Sequence, residues 1–109
     1  ENPEDIIAWQ GKGITLEKMG RYEEAIKSYD KVIEMSSPDY ALGAWTAKGD
    51  IFKAIGKYEE SIKAYNKVIE IAPKEASYAW EGKGLALEAL GRNSEANAAF
   101  SEAKMLMHR

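Results

Sequence analysis

Three tryptophans, Trp9, Trp45 and Trp80, stand 36 and 35 residues apart, and each heads the same pattern. Three residues after each comes a Lys-Gly pair: Lys12-Gly13, Lys48-Gly49 and Lys83-Gly84. Seven residues after each is a large apolar side chain (Leu16, Phe52, Leu87), and eleven after it a glycine (Gly20, Gly56, Gly91). Twenty residues on, an aromatic recurs as Tyr29, Tyr65 and Phe100. Coincidence in this many registers defines an internal repeat. A period of this length implies stacked supersecondary units, each burying its apolar face on the next.

Within each copy the apolar period is helical. Trp45, Ile51, Phe52 and Ile55 fall near one face of a helix, and Tyr58, Ile62, Tyr65, Val68 and Ile69 near one face of a second. Gly56 between them suits the left-handed residue that closes a helix. Ser37-Pro38-Asp39 reads as an N-cap, a proline at the first helical position and an acidic first turn. Asn2-Pro3-Glu4-Asp5 repeats that logic, and Pro73 opens the third copy behind the weaker cap Ala72. The pattern predicts six helices, over about 4–19, 22–35, 38–55, 58–71, 74–90 and 93–107, with no strand signal.

The order Trp, Gly, Leu/Phe, Ala, Tyr/Phe, Pro resembles the tetratricopeptide repeat. The first copy matches with Trp9, Gly13, Leu16, Ala25, Tyr29 and Val32. The second matches with Trp45, Gly49, Phe52, Ser61, Tyr65, Val68 and Pro73, and the third with Trp80, Gly84, Leu87, Ala96, Phe100 and Ala103. The resemblance spans essentially the whole chain. It implies an all-α fold, a right-handed α-solenoid of three antiparallel helix pairs. Residues 1–109 are then one domain, with repeats at about 4–36, 38–72 and 74–107. Two features depart from the family pattern. Pro38 to Trp45 and Pro73 to Trp80 are seven residues, where Pro3 to Trp9 is the usual six, so the inter-repeat turns carry an insertion. A lysine also stands before each mid-helix glycine, where the family has an apolar residue.

Gly13, Gly49 and Gly84 each cost a helix about 1 kcal/mol against alanine, so the recurrence implies a gain. That gain is close approach of the aromatic twenty residues past each tryptophan, with Ala25 and Ala96 giving room from the other side. A phosphate cradle at Gly11-Lys12-Gly13 or Gly82-Lys83-Gly84 is disfavoured, because mid-helix amides are already bonded and no strand precedes them. Lys12, Lys48 and Lys83 should align as a ladder whose stems pack on neighbouring helices. The sharper alternative is a basic stripe, which Glu17, Asp50, Glu81 and Glu88 would largely neutralise.

Composition excludes most chemistry. The chain has no cysteine and one histidine, His108, which removes thiol catalysis, cysteine metal sites and a histidine-rich metal site. Met105 and Met107 with that histidine make a poor soft-metal site. Glu23-Glu24 and Glu59-Glu60 open second helices, where they face the positive end of the dipole and do not converge as an acid/base pair. No catalytic, cofactor-binding or metal-binding residue is expected, and no cofactor. A net charge of −3 argues against a phosphate-neutralising grip on nucleic acid. No apolar run is long enough for a membrane span or a signal-peptide core. The reading is a non-enzymatic protein with a protein or peptide partner, no nucleic-acid partner and no membrane partner, in the cytoplasm.

The family resemblance implies that the first helix of each pair lines a concave groove. Its free face maps to Ile7, Gln10, Gly11, Ile14, Glu17 and Lys18 in the first copy. The second contributes Gly43, Thr46, Ala47, Asp50, Lys53 and Ala54, and the third Tyr78, Glu81, Gly82, Leu85, Glu88 and Ala89. The row Gly11, Ala47 and Gly82 is small and predicts a deep floor. Ile7, Ile14, Tyr78 and Leu85 are apolar at registers that no internal core needs. Such a groove suits an amphipathic helix or an extended apolar segment. One subclass of the family holds acidic chaperone C-termini with a clamp of Lys, Asn and Arg. The matching positions here, Gln10, Ile14, Ala47, Tyr78 and Gly82, carry none of these residues.

Two other readings stay open at this point. One is self-assembly, a weak homo-oligomer built by end-to-end stacking of repeats. The other is single-stranded RNA binding by helical-pair repeats, against which the acidic balance counts. Where Ile26/Ile62 and Ile33/Ile69 recur, the third copy has Asn97 and Lys104. A polar face there reads as a C-terminal cap. Glu1-Asn2-Pro3 resembles the tail of a preceding repeat, which would make the chain a fragment of a longer one.

Overall fold

Each tryptophan-headed segment forms a helix that stops at a glycine, for the same stereochemical reason three times. Gly20, Gly56 and Gly91 have φ of 76°, 80° and 78°, the left-handed region that favours glycine. The residue after each reaches back to a carbonyl five positions earlier. Arg21 N–H donates to the Leu16 carbonyl at 2.9 Å, Lys57 to Phe52 at 2.8 Å, and Arg92 to Leu87 at 2.9 Å. The glycine N–H bonds in parallel to Glu17, Lys53 and Glu88 at 3.0, 3.1 and 2.9 Å. These paired bonds form a Schellman motif, which satisfies the last carbonyls and turns the chain into an antiparallel return helix.

The computed structural model describes residues 3–108. The expectations that fall on Glu1 and Asn2, an N-cap and the tail of a preceding repeat, lie outside the described residues. Within them are six α-helices: α1 (Pro3–Lys18), α2 (Tyr22–Met35), α3 (Leu42–Ala54), α4 (Tyr58–Ile71), α5 (Ser77–Ala89) and α6 (Asn93–Met107). Helix α1 packs chiefly on α2, α3 on α4 and α5 on α6, while α2–α3 and α4–α5 contacts join successive pairs. The result is the all-α solenoid that the repeat pattern predicts.

Two helix starts differ from expectation. Ser37-Pro38-Asp39 and Pro73 do not open α3 and α5. Residues 38–41 form a separate turn, closed by the Ala41 N–H on the Ser37 and Pro38 carbonyls at 3.1 Å each. Pro73–Glu75 forms a 3-10 turn. The helices proper begin at Leu42 and Ser77, with Trp45 and Trp80 N–H bonding to the Ala41 and Ala76 carbonyls at 2.9 Å. The inserted residue is the cause. One extra residue in a continuous helix would rotate the tryptophan by about 100°, off the buried face. Breaking the helix absorbs the residue in a turn, whereas the six-residue spacing lets α1 run unbroken from Pro3 through Trp9.

The core follows the repeat. Leu16, Ala25, Tyr29, Val32, Ala44 and Ile51 form one cluster spanning the first pair and α3, with Trp9, Ile26 and Ile33 packed on it. Tyr65, Val68, Ala76 and Ala79 join α4 to the third pair, flanked by Trp45, Ile69 and Trp80. Ile62, Ala86, Leu87, Ala96 and Ala99 complete the stack with Tyr58 and Phe100. Ser61 stands where the other copies have alanine. It is fully buried, and its hydroxyl donates to the Gly49 carbonyl at 2.7 Å, which satisfies the polar atom.

Glycine against aromatic sets the helix spacing within each pair. A Cβ placed on Gly13, Gly49 or Gly84 would lie 3.0, 2.6 and 2.6 Å from the rings of Tyr29, Tyr65 and Phe100 respectively. The lysine before each glycine folds over the tryptophan of its own copy. Lys12, Lys48 and Lys83 Nζ sit 5.1, 5.0 and 5.0 Å from the Trp9, Trp45 and Trp80 ring centroids. Lys48 also pairs with Asp30 of the preceding helix pair at 2.6 Å. At the register of Asp30 the second copy has Asn66, and burial lowers the Lys83 ammonium below the usual lysine range. At the C-terminal end Asn97 and Lys104 are exposed, where their counterpart Ile62 is buried against α5.

Candidate functional site

The free faces of α1, α3 and α5 carry the residues that the sequence reading assigned to a groove. Helix α1 presents Ile7, Gly11 and Ile14 exposed, with Gln10 and Glu17 half-buried. Helix α3 contributes half-buried Ala47, Asp50 and Lys53, and α5 exposed Tyr78, Glu81, Leu85 and Glu88. The apolar members are open to solvent: Ile7 is 69% exposed, Ile14 43%, Tyr78 55% and Leu85 43%. Folding therefore leaves four large apolar side chains of this face unburied.

Gly82 does not belong to an open floor. It is buried, and its missing Cβ makes room for the Cζ, Cε2 and hydroxyl of Tyr65. Of the small row, Gly11 is open, with nothing within 4 Å of a would-be Cβ. Ala47 packs partly on the first core cluster. The floor is thus shallow at α5, where the Tyr65 ring takes up the depth.

Two groups of helices, α3 with α4 and α5, and α1 with α2, are tied together at this face by carboxylates and phenols. The Tyr78 hydroxyl of α5 donates to the Asp50 carboxylate of α3, at 3.0 Å from Oδ2. The Tyr65 hydroxyl of α4 donates to the same carboxylate, at Oδ1. The Tyr29 hydroxyl of α2 donates to Glu17 Oε1 of α1 at 3.0 Å. Burial, and then the adjacent Asp50, raises the Tyr65 and Tyr78 phenols above the usual tyrosine range. Burial and Glu17 do the same for Tyr29, on which Asp50 also acts. Glu17 acts in turn on Tyr78, so the electrostatics of the face run from α1 to α5. Lys53 lies over the Tyr65 ring at 5.7 Å from its centroid.

The hydroxyls of Tyr29 and Tyr65 were missed by sequence reasoning, which assigned both rings to packing alone. A signal was present: Phe100 fills the equivalent place in the third copy, so a tyrosine there brings a polar atom that needs a partner. Some assigned residues are not drawn into this cluster. Ile7 instead borders a hollow of about 520 Å³ at the N-terminal end, with Ile6, Met35 and Tyr40. The lysine ladder lies over the tryptophan rings. Among the described residues no three His, Cys, Asp or Glu side chains are grouped to hold a metal ion, and no helix is long and apolar enough to cross a membrane.

Two family models described as tetratricopeptide repeat match the chain, over residues 4–74 and 46–105. A comparison with curated protein sequences finds no match. Among solved structures the chain is similar to the second tetratricopeptide domain of Spaghetti (RPAP3) bound to the HSP90 peptide SRMEEVD. That likeness has a TM-score of 0.83 and 26% identity, covering 94% of this chain and 92% of that one. The type III secretion translocator chaperone SycD of Yersinia enterocolitica superposes with a TM-score of 0.90 at 18% identity, over 99% of this chain and 80% of that one. The TPR2AB domain of yeast Sti1, in its pHSP90 complex, gives a TM-score of 0.87 at 21% identity over 96% of this chain and 40% of that one.

Proposed function

Because the chain belongs to the tetratricopeptide repeat family, we propose that it is a protein-binding scaffold whose α1–α3–α5 face holds a segment of a partner. We take residues 1–109 as one unit of three stacked repeats that act together. The observation that carries the reading is the exposure of Ile14, Tyr78 and Leu85 on one face. Full burial of a large apolar side chain is worth roughly 1.5–3 kcal/mol, and covering the part of each that folding leaves exposed would recover roughly half of that. The glycine–aromatic contacts beneath hold the helices at fixed spacing, so the face is presented without much ordering cost on binding. The reading assigns binding and no chemistry to this face.

The acidic HSP90 peptide on the RPAP3 domain is not carried over to this chain. The positions that match the clamp are Gln10, Ile14, Ala47, Tyr78 and Gly82, none of them cationic. The test is a double substitution, Ile14→Glu with Leu85→Glu. Peptides selected from a displayed random library on the wild-type chain should lose binding to this variant while its helical circular dichroism is retained. Undiminished binding to a folded variant would remove the groove from the account.

A further inference from the structure

The groove is anionic as well as apolar, and the chemistry of its charges narrows the partner. The assigned face carries four carboxylates, Glu17, Asp50, Glu81 and Glu88, against two ammoniums, Lys18 and Lys53. Glu17 and Asp50 receive their hydrogen bonds from the phenols of Tyr29, Tyr65 and Tyr78. A phenol orients a carboxylate and satisfies a lone pair, but it carries no positive charge. Among the described residues, no salt bridge within 4.0 Å is formed by either Glu17 or Asp50, in contrast to Asp30, which is neutralised by Lys48 at 2.6 Å. Glu17 and Asp50 are therefore oriented by phenols, with no ammonium or guanidinium of the described residues within 4.0 Å. Exposed Ile14 stands on one side of them on α1, and exposed Tyr78 and Leu85 on the other on α5.

We propose that this groove takes a cationic amphipathic segment, one that sets apolar side chains on Ile14, Tyr78 and Leu85 and a Lys or Arg on the Asp50 and Glu17 carboxylates. The inference rests on the groove-binding reading and adds the charge of the partner to it. Charge complementarity selects the occupant. A cation placed here meets an acceptor that is already oriented, and an anion meets like charge at a half-desolvated site. Arginine fits best, since its planar fork can bond a carboxylate whose outer lone pairs remain free.

The experiment is selection of a displayed library of random peptides on the whole 109-residue chain. It is repeated on the Glu17→Gln/Asp50→Asn variant and on the Ile14→Glu/Leu85→Glu variant. The amides remove the charge and leave one carbonyl oxygen at each position, and at position 50 the oxygen that accepts from Tyr65 lies 3.1 Å from the Tyr78 hydroxyl as well, while the second oxygen becomes an N–H donor. Enriched peptides should combine apolar residues with net positive charge. A synthetic fluorescein-labelled winner should bind the amide variant about tenfold or more weaker, a loss of about 1.4 kcal/mol. Its wild-type affinity should fall as salt rises. If enriched peptides are neutral or acidic, or the amide variant binds equally well, the cationic partner is refuted; the groove reading then survives provided the Ile14→Glu/Leu85→Glu variant still loses binding. If nothing is enriched, or winners bind that variant unchanged, the groove reading itself falls and takes this inference with it.

Discussion

Gly82 of α5 meets the edge of the Tyr65 ring of α4, across the boundary between two helix pairs, with no room for a Cβ between them. The opposite edge of the same ring lies against Gly49, where a Cβ would come within 2.6 Å of Cε1. One aromatic ring therefore sets the spacing both inside the second pair and between the second and third. Gly82→Ala should destabilise the chain despite the gain in helix propensity. Gly11→Ala, in open space on the equivalent register, should stabilise it by about 1 kcal/mol. Thermal melts of the two variants check this, and a higher melting temperature for Gly82→Ala would show that the ring gives way easily.

Gly49 and Gly13 make a graded comparison. The clearance to Tyr29 at Gly13 is 3.0 Å, against 2.6 Å to Tyr65 at Gly49. A bulky residue at Gly49 overpacks a fully buried ring, at a cost of roughly 1–3 kcal/mol. Denaturant midpoints should fall further for Gly49→Ala than for Gly13→Ala, and further still for Gly49→Leu. Equal midpoints would mean that the spacing is set elsewhere.

Tyr29, Tyr65 and Tyr78 should ionise late. Their folded phenols lie above the unfolded value of 10.0, chiefly through burial and then through Glu17 or Asp50. A raised folded value favours the protonated, folded state. That stabilisation is complete below pH 10.0 and is lost as pH rises from there toward the folded values. Absorbance at 295 nm should show a delayed tyrosinate wave that coincides with alkaline unfolding, and Tyr65→Phe should shrink it. A single early wave in the folded chain would contradict the carboxylate–phenol contacts.

The exposed Asn97 and Lys104 stand where Ile62 and Ile69 contact the next helix pair. Replacing both with isoleucine should create an apolar end face and raise self-association, measured as concentration-dependent mass in the ultracentrifuge. Burial there is worth about 25 cal/mol per Å². A double variant that stays monomeric at high concentration would show that the polarity of these two positions does not hold off self-association.

Most of the scaffold was legible in the sequence because its causes are local. Gly20, Gly56 and Gly91 end helices through backbone geometry that needs no partner, and the pairing of Gly49 with Tyr65 follows from register. The starts of α3 and α5 were misread, since proline signals a turn and a helix start alike. The inserted residue before Trp45 and Trp80 decides between them only when the tryptophan must face a core. Gly82 was misplaced because its neighbour, Tyr65, comes from the preceding copy, and pattern matching inside one copy does not see across the boundary. The hydrogen bonds to Asp50 join α3, α4 and α5, so only the stacked structure reveals them.

The central claim is that the α1–α3–α5 face binds the partner. Amide chemical-shift mapping with a selected peptide on the isotope-labelled chain tests it most directly. The account predicts shifts concentrated around Ile14, Asp50, Tyr78 and Leu85, with the outer surfaces of α2, α4 and α6 unmoved. Shifts confined to those outer surfaces, or to the end face around Asn97 and Lys104, would contradict it.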